Sequence, residues 1–175
     1  MKKNIASLLI LSLSFLTASC GGGGGGGSDF VGAATVNISA SPTRIDTADR
    51  TEITVNISEI NENGIALKIR SPEGLQYVPD SAILIEQGSS IDVSPTVNTS
   101  ANGKRYLVFY ITRDILGKDA QGTLSLFLVG RTETESGKVE VDADVDDPLI
   151  GNDVEFDVNS PAFAAADEVS VEVQG

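Results

Sequence analysis

Beyond its first thirty residues this 175-residue chain reads as an all-β antiparallel sandwich of about eight or nine strands. Three observations lead there. Apolar and polar residues alternate with period two through segment after segment, and β-branched residues fill most of the apolar positions. Gly, Pro, Asn and Asp punctuate the joins, and no stretch holds a helical period for more than a turn or so.

The strands follow in order. Ala34 to Ser39 and Glu52 to Ser58 alternate cleanly, and the Asn61-Glu62-Asn63-Gly64 turn leads into Ile65 to Ile69. Ile83 to Ile85, Tyr106 to Thr112, Thr123 to Val129, Val139 to Val145, Val154 to Val158 and Val169 to Val173 complete the series. Tyr106 to Ile111 is the most continuously apolar segment and is expected to be a central strand. Only Arg113 to Lys118 and Ala162 to Asp167 resemble helical turns. Residues 30–175 show no internal repeat.

Composition removes whole classes of function. The chain has no His, no Trp and a single cysteine, Cys20. A Ser-His-Asp or Cys-His centre therefore cannot be built, and the usual ligands of zinc, copper and non-haem iron are lacking. The formal net charge is −13, which Lys2 and Lys3 already moderate. An acidic surface repels nucleic acid and anionic headgroups, so no nucleic-acid partner is expected. With one cysteine the fold has no internal disulfide and must be held by burial. A domain of this length buries roughly two-thirds of its unfolded surface, which makes that feasible.

The first residues carry an address. Lys2 and Lys3 precede an apolar run from Ile5 to Leu16, then the small residues Thr17-Ala18-Ser19 and Cys20. This pattern is that of a secretory signal peptide. The run is too short for a membrane span, which needs about 20 apolar residues. Leu16-Thr17-Ala18-Ser19-Cys20 resembles the lipobox of bacterial lipoproteins, with Thr17 where Leu is usual. The resemblance implies cleavage before Cys20, diacylglycerol on its sulfur, and membrane attachment through that lipid. Gly21 follows Cys20, which by resemblance to lipoprotein sorting rules implies the outer membrane of a two-membrane cell envelope. Residues 1–19 are then the signal peptide, 20–29 the lipidated cysteine with its glycine-rich tether, and 30–175 the sandwich domain. Nine flexible residues from Gly21 to Asp29 reach about 15–18 Å.

Within the domain, Pro72-Glu73-Gly74-Leu75-Gln76-Tyr77-Val78-Pro79-Asp80-Ser81-Ala82 carries all eight fixed residues of a recurring string: Pro, any, Gly-Leu, any, Tyr-Val-Pro, any, Ser-Ala. It resembles a widespread family of bacterial surface repeats, conserved domains of unknown function. That resemblance implies an immunoglobulin-like sandwich over about residues 34–160. Read residue by residue, the string is turn chemistry: Pro72 and Gly74 suit a tight turn, and Pro79 interrupts ladder pairing.

Two candidate chemistries remain. Asp142, Asp144, Asp146 and Asp153 stand at positions 1, 3, 5 and 12 of a twelve-residue run, the spacing of a calcium loop, though Asp147 replaces its turn glycine. Val139, Val141, Ala143 and Val145 alternate with the acids, so a strand with a solvated acidic face gives the same spacing. The calcium candidates are Asp144, Asp146, Asp147 and Asp153 at a strand end. Among 25 acidic residues some carboxylates must pair, but without Trp and with three Tyr there is little to build a sugar cleft for glycosidase chemistry. Lys68, which an intramolecular Lys–Asn bond would need buried, falls on the polar side of its strand.

The sequence thus points to a lipid-anchored, non-enzymatic cell-envelope protein. Its expected role is a structural or protein-interaction module with an envelope or surface protein as partner. The alternative is a calcium-dependent adhesion or carbohydrate-binding module. Addition of a partner's strand to a sheet edge is a third route to binding.

Overall fold

A computed structural model describes residues 34–62, 64–144 and 163–175. These hold twelve strands: β1 (Thr35–Ser41), β2 (Arg44–Asp46), β3 (Arg50–Ser58), β4 (Ile65–Pro72), β5 (Leu75–Tyr77), β6 (Ile83–Glu86), β7 (Ser89–Asp92), β8 (Val97–Ala101), β9 (Lys104–Ile111), β10 (Gly122–Gly130), β11 (Thr134–Asp144) and β12 (Asp167–Gln174). One sheet runs β1-β3-β10-β6-β7, with β5 continuing the line of β6 along β10. The other runs β2-β12-β11-β4-β9-β8. Pairing is antiparallel apart from β2 with β12. The architecture is an immunoglobulin-like β-sandwich.

Every long strand expected from alternation within the described residues is present. The segment 154–158 lies outside them. The excess over eight or nine strands comes from β2, β5, β7 and β8, each too short or too polar to show a period. Two of these, β7 and β8, belong to hairpins whose turns carry positive φ at both central residues: 46° and 82° at Gln87-Gly88, 53° and 74° at Asn102-Gly103. That is the backbone twist two-residue hairpins require. Arg113–Leu116 forms a single 3-10 turn. Residues 163–166 are irregular, and Asp167 already belongs to β12, so the second helical candidate is not helical there.

Alternation decides which side chains meet between the layers. Ile53 and Val55 of β3 and Leu124, Leu126 and Leu128 of β10 face Ile65, Leu67 and Ile69 of β4, Phe109 of β9, and Val139 and Val141 of β11. Most are wholly shielded from solvent. β9 lies inside its sheet, between β4 and β8, and Tyr106 through Phe109 is buried on both faces, as its apolar run requires. The edge strand β1 is blunted: the Asp167 carboxylate reaches across to accept the Ile38 N–H at 3.0 Å. Thr51 has an inward position but is satisfied, its hydroxyl donating to the Pro42 carbonyl at 2.7 Å.

Truncating a side chain at the centre of this packing leaves a cavity. Leu126→Ala is expected to lower the unfolding free energy by about 2–5 kcal/mol in urea titrations followed by circular dichroism. Ser39→Ala, on the solvent side of β1, is expected to change it by less than about 0.5 kcal/mol.

Candidate functional site

The densest polar arrangement lies on the face of the second sheet turned away from the core. Period two puts Ile65, Leu67 and Ile69 inward, so Ala66, Lys68 and Arg70 point outward from β4. Glu140 and Asp142 of β11 and Tyr106 and Val108 of β9 stand beside them through the strand register. An outer face of this kind is expected to be solvated. It is covered instead: Lys68 is 3% exposed, Glu140 and Asp142 8% each.

Arg70 organises the face. Its guanidinium donates two hydrogen bonds to Glu140, Nε to Oε2 at 2.8 Å and Nη2 to Oε1 at 2.7 Å. The Phe163 ring lies over the same guanidinium, 4.1 Å from ring centroid to Cζ, and Tyr106 meets that ring edge-on at 6.2 Å and 71°. The fork matches a carboxylate and the flat cation matches an aromatic face, which a lysine could not do at once. One residue further along, the Ala164 N–H donates to the Asp142 carboxylate at 3.0 Å. The chain leading into β12 is thereby fastened to β11 and β4. The Arg70 guanidinium holds the Glu140 carboxyl below the usual carboxylate range against the opposing pull of burial, and Glu140 raises Arg70 in return. Two further ion pairs, Arg44 with Glu172 and Lys138 with Glu168, stand in solvent and hold little.

Chemically this is a clamp. Both carboxylate oxygens of Glu140 are engaged, and the cation is sandwiched by its partners. The sequence singled out neither Arg70 nor Phe163. The available signal was opposite charge at outward positions of two long strands, which identifies a pair only once the register is known.

The sequence-derived site residues fall as follows. The backbone of Asp144, in β11, is paired to Ala66. Its side chain, together with Asp146, Asp147, Asp153 and Cys20, lies outside the described residues. Asp142, first in the twelve-residue spacing, is buried and holds Ala164. Among the described residues no group of three or more His, Cys, Asp or Glu side chains stands close enough to hold a metal. Lys68 is on the outward face as expected, and is buried there at 3% exposure.

The Pro-Gly-Leu-Tyr-Val-Pro-Ser-Ala string is the crossing from the second sheet to the first. Pro72 ends β4, Gly74 turns the chain, and Leu75 and Tyr77 enter the core from β5. A Cβ on Gly74 would lie 2.7 Å from Thr134 Oγ1, so only glycine fits that turn. Between β5 and β6 the chain leaves β10, and Phe127 would lose its partners there. The Val78 N–H donates to the Phe127 carbonyl at 2.9 Å, and the Ser81 hydroxyl accepts the Phe127 N–H at 3.0 Å while donating to the Val78 carbonyl at 2.7 Å. Ser81 thus stands in for a missing strand residue.

A cleft of about 190 Å³ opens between the sheets against Leu84, Phe109, Ile111, Ile115 and Leu124. Its polar lining is Ser94, Thr96 and Tyr110. No helix in the described residues is long and apolar enough to cross a membrane.

No family model matches the chain, and no curated protein matches it. Solved structures do. The T6 backbone pilin of serotype M6 Streptococcus pyogenes superposes with a TM-score of 0.52 at 13% identity, over 81% of this chain and 36% of the pilin. The N-terminal domain of the Streptococcus gordonii adhesin Sgo0707 gives 0.45 at 9%, over 79% and 32%. AvmM, which catalyses macrocyclisation in alchivemycin A biosynthesis, gives 0.42 at 10%, over 84% and 90%. This chain therefore spans about a third of the length of the pilin and the adhesin. At these identities the likeness is one of fold, a sandwich of the kind pilin domains use.

Because Glu140 is held ionised, its pairing stabilises the fold above the unfolded carboxyl pKa and is lost as pH falls through the lowered folded value. Glu140→Gln is expected to cost about 1–3 kcal/mol at neutral pH, since it strands part of the guanidinium. Melting temperatures measured from about pH 7 down to pH 3 should converge for the variant and the parent at the acid end.

Proposed function

We propose that this chain is a lipid-anchored, non-enzymatic module of a bacterial cell envelope, most suitably the outer membrane, serving a structural or protein-interaction role. One observation carries the reading: the described polar clusters are internally satisfied clamps and turn supports, while the sequence provides an attachment point at Cys20 and a glycine spacer. An outer face whose Arg70, Glu140 and Asp142 are engaged with one another's elements and with the backbone suits display and contact better than turnover. The pilin fold of its structural neighbour agrees with that use. The anchor is the membrane partner, and the folded surface meets an envelope or surface protein.

A calcium-dependent adhesion role is the second reading. It is favoured by the sequence, in which Asp144, Asp146 and Asp147 are followed by Asp153 within ten residues. Hard oxygen ligands of this kind suit calcium.

The anchor is tested by fractionation. The parent protein is expected in the membrane fraction, and Cys20→Ser, or treatment with the lipoprotein signal-peptidase inhibitor globomycin, is expected to abolish lipid processing. A Cys20→Ser protein that still partitions with lipid like the parent contradicts the anchor. Calcium at about millimolar concentration should raise the melting temperature by several degrees if the acidic residues bind it, and an unchanged curve removes that reading.

A further inference from the structure

We infer that Asn102, at the tip of the β8–β9 hairpin, is a site of spontaneous covalent modification, where water converts the carboxamide to a carboxylate and part of the product is isoaspartate. It needs neither the lipid anchor nor a binding partner. Ring closure of this kind requires a carboxamide carbon next to Cβ, a following backbone N–H outside the strand ladder, and open space around that nitrogen. Asn102-Gly103 meets each condition. Ala101 and Lys104 form the last pair of the ladder, so Asn102 and Gly103 make up a two-residue loop. Both are exposed. A Cβ on Gly103 would meet nothing within 4 Å, so no neighbouring element shields the nitrogen, and glycine adds no side chain of its own.

The other asparagines of the described strands lack these conditions. Asn37, Asn56 and Asn98 precede Ile38, Ile57 and Thr99, whose β-branched side chains crowd the backbone nitrogen. The Ile38 N–H is also held by Asp167, and the Asn56 carboxamide accepts from Thr123. The β6–β7 hairpin is a control within the same molecule. Its Gln87-Gly88 loop has the same backbone hand, with φ of 46° and 82° against 53° and 74° at Asn102-Gly103. Gly88 is just as open. Gln87 has one more methylene, so its attack would close a larger ring with one more bond to order. Its carboxamide is also engaged, donating to Asp119 at 3.1 Å.

The Gly103 nitrogen loses its proton to hydroxide and attacks Asn102 Cγ. The N–Cγ bond forms, the Cγ–Nδ2 bond breaks, and Nδ2 leaves as ammonia with a proton from water. Water then opens the cyclic imide at either carbonyl. One opening gives aspartate; the other routes the main chain through Cβ and gives isoaspartate. Water taken up and ammonia released balance the change, with no oxidant and no enzyme. Isoaspartate adds a main-chain atom to a loop whose twist is matched to its strands. Among the described residues β8 is an edge strand paired with β9 alone, whereas β9 is also paired to β4. The modification therefore loosens β8 and leaves the core in place.

The test ages the full-length purified chain in warm, mildly alkaline buffer and maps its peptides by mass spectrometry. The peptide holding Asn102 should gain about 1 Da with time, partly as isoaspartate, while the peptide holding Gln87 stays unchanged. Asn102→Gln gives this loop the residue types of the other hairpin. It should slow the gain at that position by about tenfold or more, with melting unchanged. Hydrogen exchange of the aged chain should be faster in β8 and unaltered in β4 and β10. The proposal is overturned by an Asn102 peptide of constant mass or by a gain there that survives Asn102→Gln. Aged, isoaspartate-containing chain whose β8 exchanges as in fresh protein overturns it as well.

Discussion

Burial between the two sheets is the interaction on which everything else here depends, because Cys20 is the only cysteine and no disulfide can staple the layers. Each buried Leu, Ile or Val contributes on the order of 1.5–3 kcal/mol, and these must together exceed the entropy of ordering the strands. The sequence meets that demand by concentrating aliphatic residues at inward positions of β3, β4, β9, β10 and β11. Aromatic residues contribute little to this core. The close fit of branched side chains does most of the holding.

With the interior committed to apolar contact, the polar side chains are free to differentiate the two outer faces. On the second sheet they form an inward-looking clamp in which Arg70 joins Glu140, Phe163 and Tyr106, and Asp142 receives the backbone of Ala164. That clamp returns the chain to β12, whose Asp167 in turn caps the edge of β1 in the other sheet. One stretch of chain thus closes both an outer face and a sheet edge. On the first sheet the outer hydroxyls are tied to their neighbours, Thr123 donating to Asn56 and Ser125 to Glu52.

Much of the fold was legible from period two alone. β3, β4, β9 and β10 are long enough for alternation to be unambiguous, and their inward residues are the ones the core uses. β5 and β7 were not legible because three or four residues cannot display a period, and β8 because its Asn, Thr and Ser lack a hydrophobic contrast. Asn102-Gly103 was the overlooked cue for that hairpin. For Lys68, alternation gave the face correctly but not the burial, since a strand's period fixes the side a residue faces and not what lies over that side. Ser81 shows the same limit: its type is read as turn chemistry, while its role at Phe127 emerges only when β5 and β6 are aligned on β10. The acidic residues from Asp146 onward and the lipid-site Cys20 fall outside the described residues, so their reading rests on sequence pattern.

Hydrogen exchange read by mass spectrometry tests the central claim most directly, that two sheets joined by burial form one cooperative unit. Amides of β3 and β10 in one layer and β4, β9 and β11 in the other should exchange slowest, with a common opening free energy and no change on adding reductant. Rapid exchange across one whole sheet while the other stays protected would contradict it.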